Sequence, residues 1–203
     1  MDRAPNHPFE AIRPRIVRAS VALVAFPGFA LCATISFNVD RSGSSVVIEA
    51  SALLDADPAI AWRVLTDYDR YAEFIPDIRA SRVVKRDGHE VIVEQTGDAT
   101  FGSLHAPVGI TYRIDERAPT RIVSHASAGG MPALASTYAL TSTVDGVRLD
   151  YRGQVSAAVR WSGHAEASER SVERGFRALA DEIERASASQ LGPRRGTRGD
   201  EPR

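Results

Sequence analysis

The chain contains one cysteine, Cys32, and one lysine, Lys85, in 203 residues. A single thiol excludes an intrachain disulfide, so burial has to hold the fold together. Metal chemistry is equally unadvertised. No two of His7, His89, His105, His125 and His164 stand at i, i+3 or i, i+4 on a helical stretch, and there is neither an HExxH motif nor a cysteine pair. A GxSxG elbow is missing too, which leaves any Ser-His-Asp assembly without a designated nucleophile. With 25 basic and 26 acidic side chains and a formal net charge of −1, bulk electrostatics gives no reason to expect a nucleic-acid partner. Arginine supplies every positive side chain except Lys85, a skew that fits a coding bias. No cofactor is implied.

Charge is also absent from Ala19 to Val39, 21 residues, against the roughly 20 that cross a bilayer as a helix. Arg13, Arg15 and Arg18 precede this run, and basic residues on that side keep the amino terminus in the cytoplasm and send the downstream chain across the membrane. Residues 1–40 therefore read as a basic leader whose apolar segment, 19–39, is either a signal peptide or a membrane anchor. Both fates place the rest of the chain at the cell envelope, on the non-cytoplasmic side. Cys32 lacks the small preceding residue of a lipoprotein acceptor and reads as an ordinary apolar cysteine. Arg41 to Ser45 is a polar linker, and residues 188–203, rich in Gly, Pro and Arg, read as a disordered tail.

The positive signals begin with Asp57 to Pro76, DPAIAWRVLTDYDRYAEFIP. Asp57 before Pro58 sets a capping oxygen ahead of a residue suited to the first helical position. Ala61, Leu65 and Tyr68 share one helical face with Trp62 beside them, Asp69 interrupts, and Tyr71, Phe74 and Ile75 resume before Pro76 stops the chain. Val46 to Leu54 alternates as a strand ahead of this element. Asp87-Gly88 after it joins strands Ser81 to Lys85 and His89 to Thr96. Further alternation marks strands at Val108 to Asp115, Arg121 to Ser127, Leu134 to Thr143 and Val147 to Val159, with turn residues between them. Val172, Phe176, Leu179, Ile183 and Ala186 then recur on one face of a helix from Ala165 to Ser187.

The order of strand, capped helix with Trp62, Asp67-Tyr68, Phe74-Ile75-Pro76 and a meander containing Val93-Glu94-Gln95 resembles the START-like or SRPBCC superfamily, in its polyketide cyclase/dehydrase and coenzyme Q-binding branch. The resemblance implies an α+β helix-grip fold over residues 46–187. In it a curved antiparallel sheet of about seven strands, with two short helices after the first, grips a long carboxy-terminal helix. The gap between helix and sheet is then the ligand site. No catalytic residue is implied.

Strand alternation assigns Val108, Ile110, Tyr112 and Ile114 to one face, Leu134, Ser136, Tyr138 and Leu140 to another, and Val147, Leu149, Tyr151 and Gly153 to a third. Gln95 shares the face of Val91 and Val93. With Phe101 and Phe176 these give the candidate cavity residues Gln95, Phe101, Tyr112, Tyr138, Leu140, Tyr151 and Phe176. Such a wall suits a lipid or other hydrophobic molecule, quinone-, fatty-acid- or polyketide-like, with an oxygen that a phenol can bond. The tyrosines read equally as core residues. Glu94 falls on the opposite, solvated face, and Asp67 and Asp69 read as caps or arginine partners. Phe101 to Leu104 and Gly129 to Pro132 read as gates or as plain turns. Three functions fit: hydrophobic-ligand binding at the envelope, an aromatase/cyclase-type enzyme using a tyrosine, Glu94 or His125, and a non-catalytic envelope interaction module.

Overall fold

Alternation of period two builds most of the molecule. The computed structural model describes residues 34–41, 46–101, 104–128, 131–155 and 165–191; the side chains of residues 98–107, 128, 131–133, 165–168 and 191 lie outside that description. Eight strands are formed: β1 (Thr34–Asp40), β2 (Val46–Leu54), β3 (Ile78–Asp87), β4 (Glu90–Phe101), β5 (Leu104–Arg117), β6 (Arg121–Ala128), β7 (Met131–Thr143) and β8 (Gly146–Val155). They make one antiparallel sheet in the order β1-β2-β8-β7-β6-β5-β4-β3. Helix α1 (Pro58–Thr66), a 3-10 turn (Tyr68–Arg70) and α2 (Tyr71–Phe74) lie between β2 and β3, and α3 (Ala165–Leu191) closes the chain. This is the helix-grip architecture, with eight strands where about seven are expected from the sequence.

The additional strand comes from the apolar segment. Thr34 to Asp40 alternates Ile35, Phe37 and Val39 with Ser36 and Asn38, and pairs along its whole length with β2, Phe37 opposite Ala50. Phe37 then meets Phe176 of α3 edge to face, centroids 5.6 Å apart. The sheet thus starts inside the run 19–39, and Val46–Leu54 is its second strand. At the other end the helix runs four residues past Ser187, to Leu191. Residues 1–33, 42–45 and 192–203 lie outside the described residues, as do Cys32, the body of the linker and most of the tail. The stretch 156–159, expected to extend the last strand, lies outside them too.

The linking helices form as their caps dictate. Asp57 Oδ1 accepts the Ala59 N–H at 2.7 Å with Pro58 in the first turn, which fixes the direction in which α1 leaves β2. Ile60, Ala61, Val64 and Leu65 are its buried residues. Asp69 Oδ1 accepts the Val83 N–H at 2.7 Å and ties the 3-10 turn to β3. Past Pro76, Asp77 accepts from Ser171 and Arg174 and ties the turn to α3. Helix α3 contributes Phe176, Leu179, Ala180 and Ile183 to the core and approaches α1, β2, β8 and β4 most closely, while α1 approaches β7 and β8. The inner surfaces of β5 and β6 receive no comparable helical cover among these contacts.

The β7–β8 turn is held by a backbone approach. Gly146 has φ 132°, and a Cβ there would lie 2.1 Å from the Leu54 carbonyl oxygen. Gly146→Ala is expected to destabilise the fold by roughly 1–3 kcal/mol, measured by chemical denaturation. Wild-type stability in that variant would show that β2 and the turn are not in contact.

Candidate functional site

One sheet face looks toward α3, and cross-strand register names its members. Ala50 on β2, Tyr151 on β8 and Tyr138 on β7 lie in one row, and Ile122 on β6 and Glu116 on β5 continue it. The next row runs Gly153, Ser136, Ser124, Ile114 and Val91. Tyr112 is opposite Val93 and Ala126. All three sequence-derived faces therefore share one wall.

This wall is not uniformly covered. Over β2 and β8, Ile48, Leu54, Val147 and Leu149 are fully buried beneath α3 and α1. Over β4 to β7, Val91, Val93, Ile114, Ile122 and Leu140 are buried as well, but Gln95, Ile110, Tyr112, Leu134 and Tyr138 beside them are only partly so. Between them, Ser124, Ala126 and Ser136 are small and buried. Small side chains therefore occupy the middle strands, and the tyrosine rings lie beside them.

Tyrosines dominate the wall. Tyr138 and Tyr151 are packed ring on ring with centroids 4.8 Å apart, and Tyr151 reaches Phe176 at 6.3 Å. Tyr68 and Tyr71 stand edge to face at 5.5 Å, and the Tyr71 hydroxyl donates to the Leu65 carbonyl at 2.7 Å. Burial pushes the Tyr112 hydroxyl up to about 12. Burial, then the neighbouring Tyr151, Tyr71 and Tyr112, holds Tyr138 well above the usual phenol range. Tyr151 is raised by burial and by Tyr112, partly offset by a hydrogen bond with Ser136. The chain has five tyrosines, and all five belong to this network. Each stays neutral at physiological pH.

Tyr112 and Tyr138, like Tyr71, are desolvated yet partly open, but unlike Tyr71 neither hydroxyl has a hydrogen-bond partner among the described residues. Tyr151 depends on Gly153, where a Cβ would fall 2.3 Å from the Tyr151 hydroxyl. The glycine is the seat of the ring.

Among the described side chains, charge enters the wall at its rim. Arg86 Nη1 donates to Glu116 Oε2 at 2.7 Å. The second Glu116 oxygen and the buried Tyr68 hydroxyl face each other without closing a bond of normal geometry. Tyr68 is raised by burial first and by Glu116 second.

The remaining sequence-derived residues separate. Gln95 lines the wall and donates to Ser81 Oγ at 3.1 Å. Leu140 is buried in the core opposite Leu149, and Phe176 is fully buried between Phe37 and Tyr151, so both support the wall from within the core. Phe101, at the end of β4, lies outside the described side chains, as does His105; Gly102, Ser103, Gly129 and Gly130 of the expected gates lie outside the described residues. Glu94 is exposed and paired with Arg82 at 2.7 Å, and His125 is exposed on the outer face. Asp67 lies 3.7 Å from Arg70. Ser124, Ser136, Glu116 and Tyr68 escape notice in the sequence as site residues, because strand register is needed to bring them together. No cluster of metal-binding side chains occurs among the described residues. A groove of about 430 Å³ lies on the outer face, lined by Ser36, Asn38, Glu49, Ser51, Asp150 and Arg152 among others. Its Glu49–Arg152 and Ser51–Asp150 bonds make it a solvated strand surface.

Comparison with known proteins agrees with this geometry. Residues 45–184 match the family model described as polyketide cyclase/dehydrase and lipid transport. No curated protein sequence matches the chain. Among solved structures, the Zhui aromatase/cyclase from Streptomyces sp. R1128 superposes with a TM-score of 0.58 at 15% identity, over 70% of this chain and 94% of that one. The STAR-related lipid transfer protein from Xanthomonas axonopodis gives 0.55 at 14% identity, over 77% and 96%. The di-domain aromatase/cyclase BexL gives 0.57 at 12% identity over 72% of this chain, which spans 51% of BexL's length. Identities this low establish the fold alone.

Raised tyrosine pKa values set a pH dependence. An unfolded chain titrates its tyrosines near 10, so up to about pH 10 both states keep the protons and these groups leave stability unchanged. Above it the unfolded chain ionises first, and stability falls as pH rises from about 10 through 12. Denaturation followed at about pH 8 and 11, with tyrosinate absorbance as a second signal, should show tyrosinate appearing together with unfolding. Several tyrosinates in a still-folded chain at about pH 11 would contradict the burial described.

Proposed function

The chain belongs to the polyketide cyclase/dehydrase and lipid transport family, and we propose that it binds a hydrophobic small molecule, quinone-, fatty-acid- or polyketide-like, in a hollow between the sheet and α3. One observation carries this reading: Tyr112 and Tyr138 are desolvated, partly open and without hydroxyl partners among the described residues. A finished core would bury such groups completely or pair them. An apolar wall with a few unpaired polar groups is the form of a small-molecule site.

Binding is favoured over an aromatase/cyclase-type reaction by the same chemistry. General acid–base work on a carbonyl needs a group that exchanges protons near the working pH. The wall offers phenols held well above neutrality, and a glutamate paired to Arg86. Glu94 and His125 face away from it. Extraction of the full chain purified without detergent should release an apolar molecule visible by mass spectrometry, in amounts comparable to the protein. The reading fails if nothing is extracted and quinones, fatty acids and phospholipids all leave the melting temperature unchanged.

For location we propose the cell envelope, reached through the basic and apolar leader. Since β1 takes residues 34–40 into the sheet, the uncharged run ahead of it is 19–33. That is shorter than the roughly 20 residues of a spanning helix, and it favours a cleaved signal peptide over a retained anchor. Among the described residues no helix is long and apolar enough to cross a membrane. Amino-terminal sequencing of protein from the envelope fraction should find a new terminus ahead of Thr34, whereas an intact Met1 in the cytosolic fraction would overturn the proposal.

A further inference from the structure

The wall carries a hydrogen-bonding pattern as well as a shape. Ser124, Ser136 and Gly153 are cross-strand partners in one row over β6, β7 and β8. The Ser124 and Ser136 hydroxyl oxygens are 2.7 Å apart, and the Tyr151 hydroxyl lies over Gly153, the partner of Ser136 across the strands. Two serine hydroxyls own two protons, and the link between them uses one. One proton is left for a partner outside the pair. Tyr112 and Tyr138 add two more donors without partners among the described residues.

The electrostatics of the wall narrows what these donors can serve. Its charged groups among the described side chains, Arg86 and Glu116, neutralise each other at the rim. An anionic head group brought onto this wall would give up its hydration and meet hydroxyls with no counter-charge, which is costly. A carbonyl oxygen loses far less on leaving water and gains a donor. The apolar neighbours Ile110, Ile114 and Leu134 accept the rest of such a molecule.

Resting on the reading of the hollow as a ligand site, we propose that it selects an uncharged apolar molecule bearing at least two acceptor oxygens, of ketone or quinone type, over fatty-acid and phospholipid anions. The observations behind this are the bonded Ser124–Ser136 pair, the Tyr151 hydroxyl over the adjoining Gly153, the flanking Tyr112 and Tyr138, and the paired rim charges.

Three probes with one ring frame test it on the full chain: 9,10-anthraquinone, anthracene and anthracene-2-carboxylate, each followed by quenching of tryptophan fluorescence. Anthraquinone is expected to bind about tenfold or more tighter than either of the others. Tyr112→Phe and Tyr138→Phe, which keep the rings, should each weaken anthraquinone about fivefold, the worth of one ordinary hydrogen bond, and leave anthracene unchanged. Equal binding of anthracene and anthraquinone, tightest binding of the carboxylate, or indifference to both variants would overturn the proposed selection while leaving a hydrophobic site in place. If none of the three binds to a chain that still melts cooperatively, the ligand-site reading falls with it.

Discussion

The seating of Phe176 is the contact on which the rest depends. Its ring is completely buried, with Phe37 of the edge strand on one side and Tyr151 of a central strand on the other. One side chain therefore fastens α3 to both the margin and the middle of the sheet. With α3 pinned over β1, β2 and β8, and with Asp77 holding the turn after α2 against Arg174, cover is concentrated on one half of the inner face. On the other half the buried Val91, Val93, Ile114 and Ile122 are flanked by the partly open Tyr112 and Tyr138. A buried Phe of this kind commonly contributes about 3–5 kcal/mol to a fold, and here the same contact also sets which strands α3 covers.

The consequence is a division of labour along the strands. Large aliphatic side chains fill the side under α3, and serines, an alanine and a glycine occupy the middle rows. Rings longer than the gaps they bridge then lie across the small residues. Desolvation keeps their hydroxyls neutral, so these tyrosines make the wall polar without charging it. The family's breadth, covering cyclases and lipid carriers, is consistent with a scaffold in which such wall residues vary while the fastening persists.

Much of this is legible in the sequence, because period-two and period-3.6 patterns are strong where one face is buried. Asp57-Pro58 announces the start of α1, and the stripe from Val172 to Ala186 announces the buried face of α3. The faces of Tyr112, Tyr138 and Tyr151 follow from alternation alone. Strand β1 is harder: Ile35, Phe37 and Val39 do alternate, but they end a long uncharged run, and hydropathy masks a short period inside it. The serine pair is harder still. Ser124 and Ser136 are common residues far apart in the chain, and only the pairing of β6 with β7 makes them neighbours. Likewise Phe176 is legible as a member of a stripe, whereas its place between two other rings requires the topology.

Gly153 has a wider consequence. The space a Cβ would fill is taken by the tip of Tyr151, so a missing methyl sets how far a neighbouring ring can recline. Floor depth is thereby encoded two residues away from the ring that forms it. A chain with alanine at this position would have to raise the ring, and a shallower floor would admit a thinner guest.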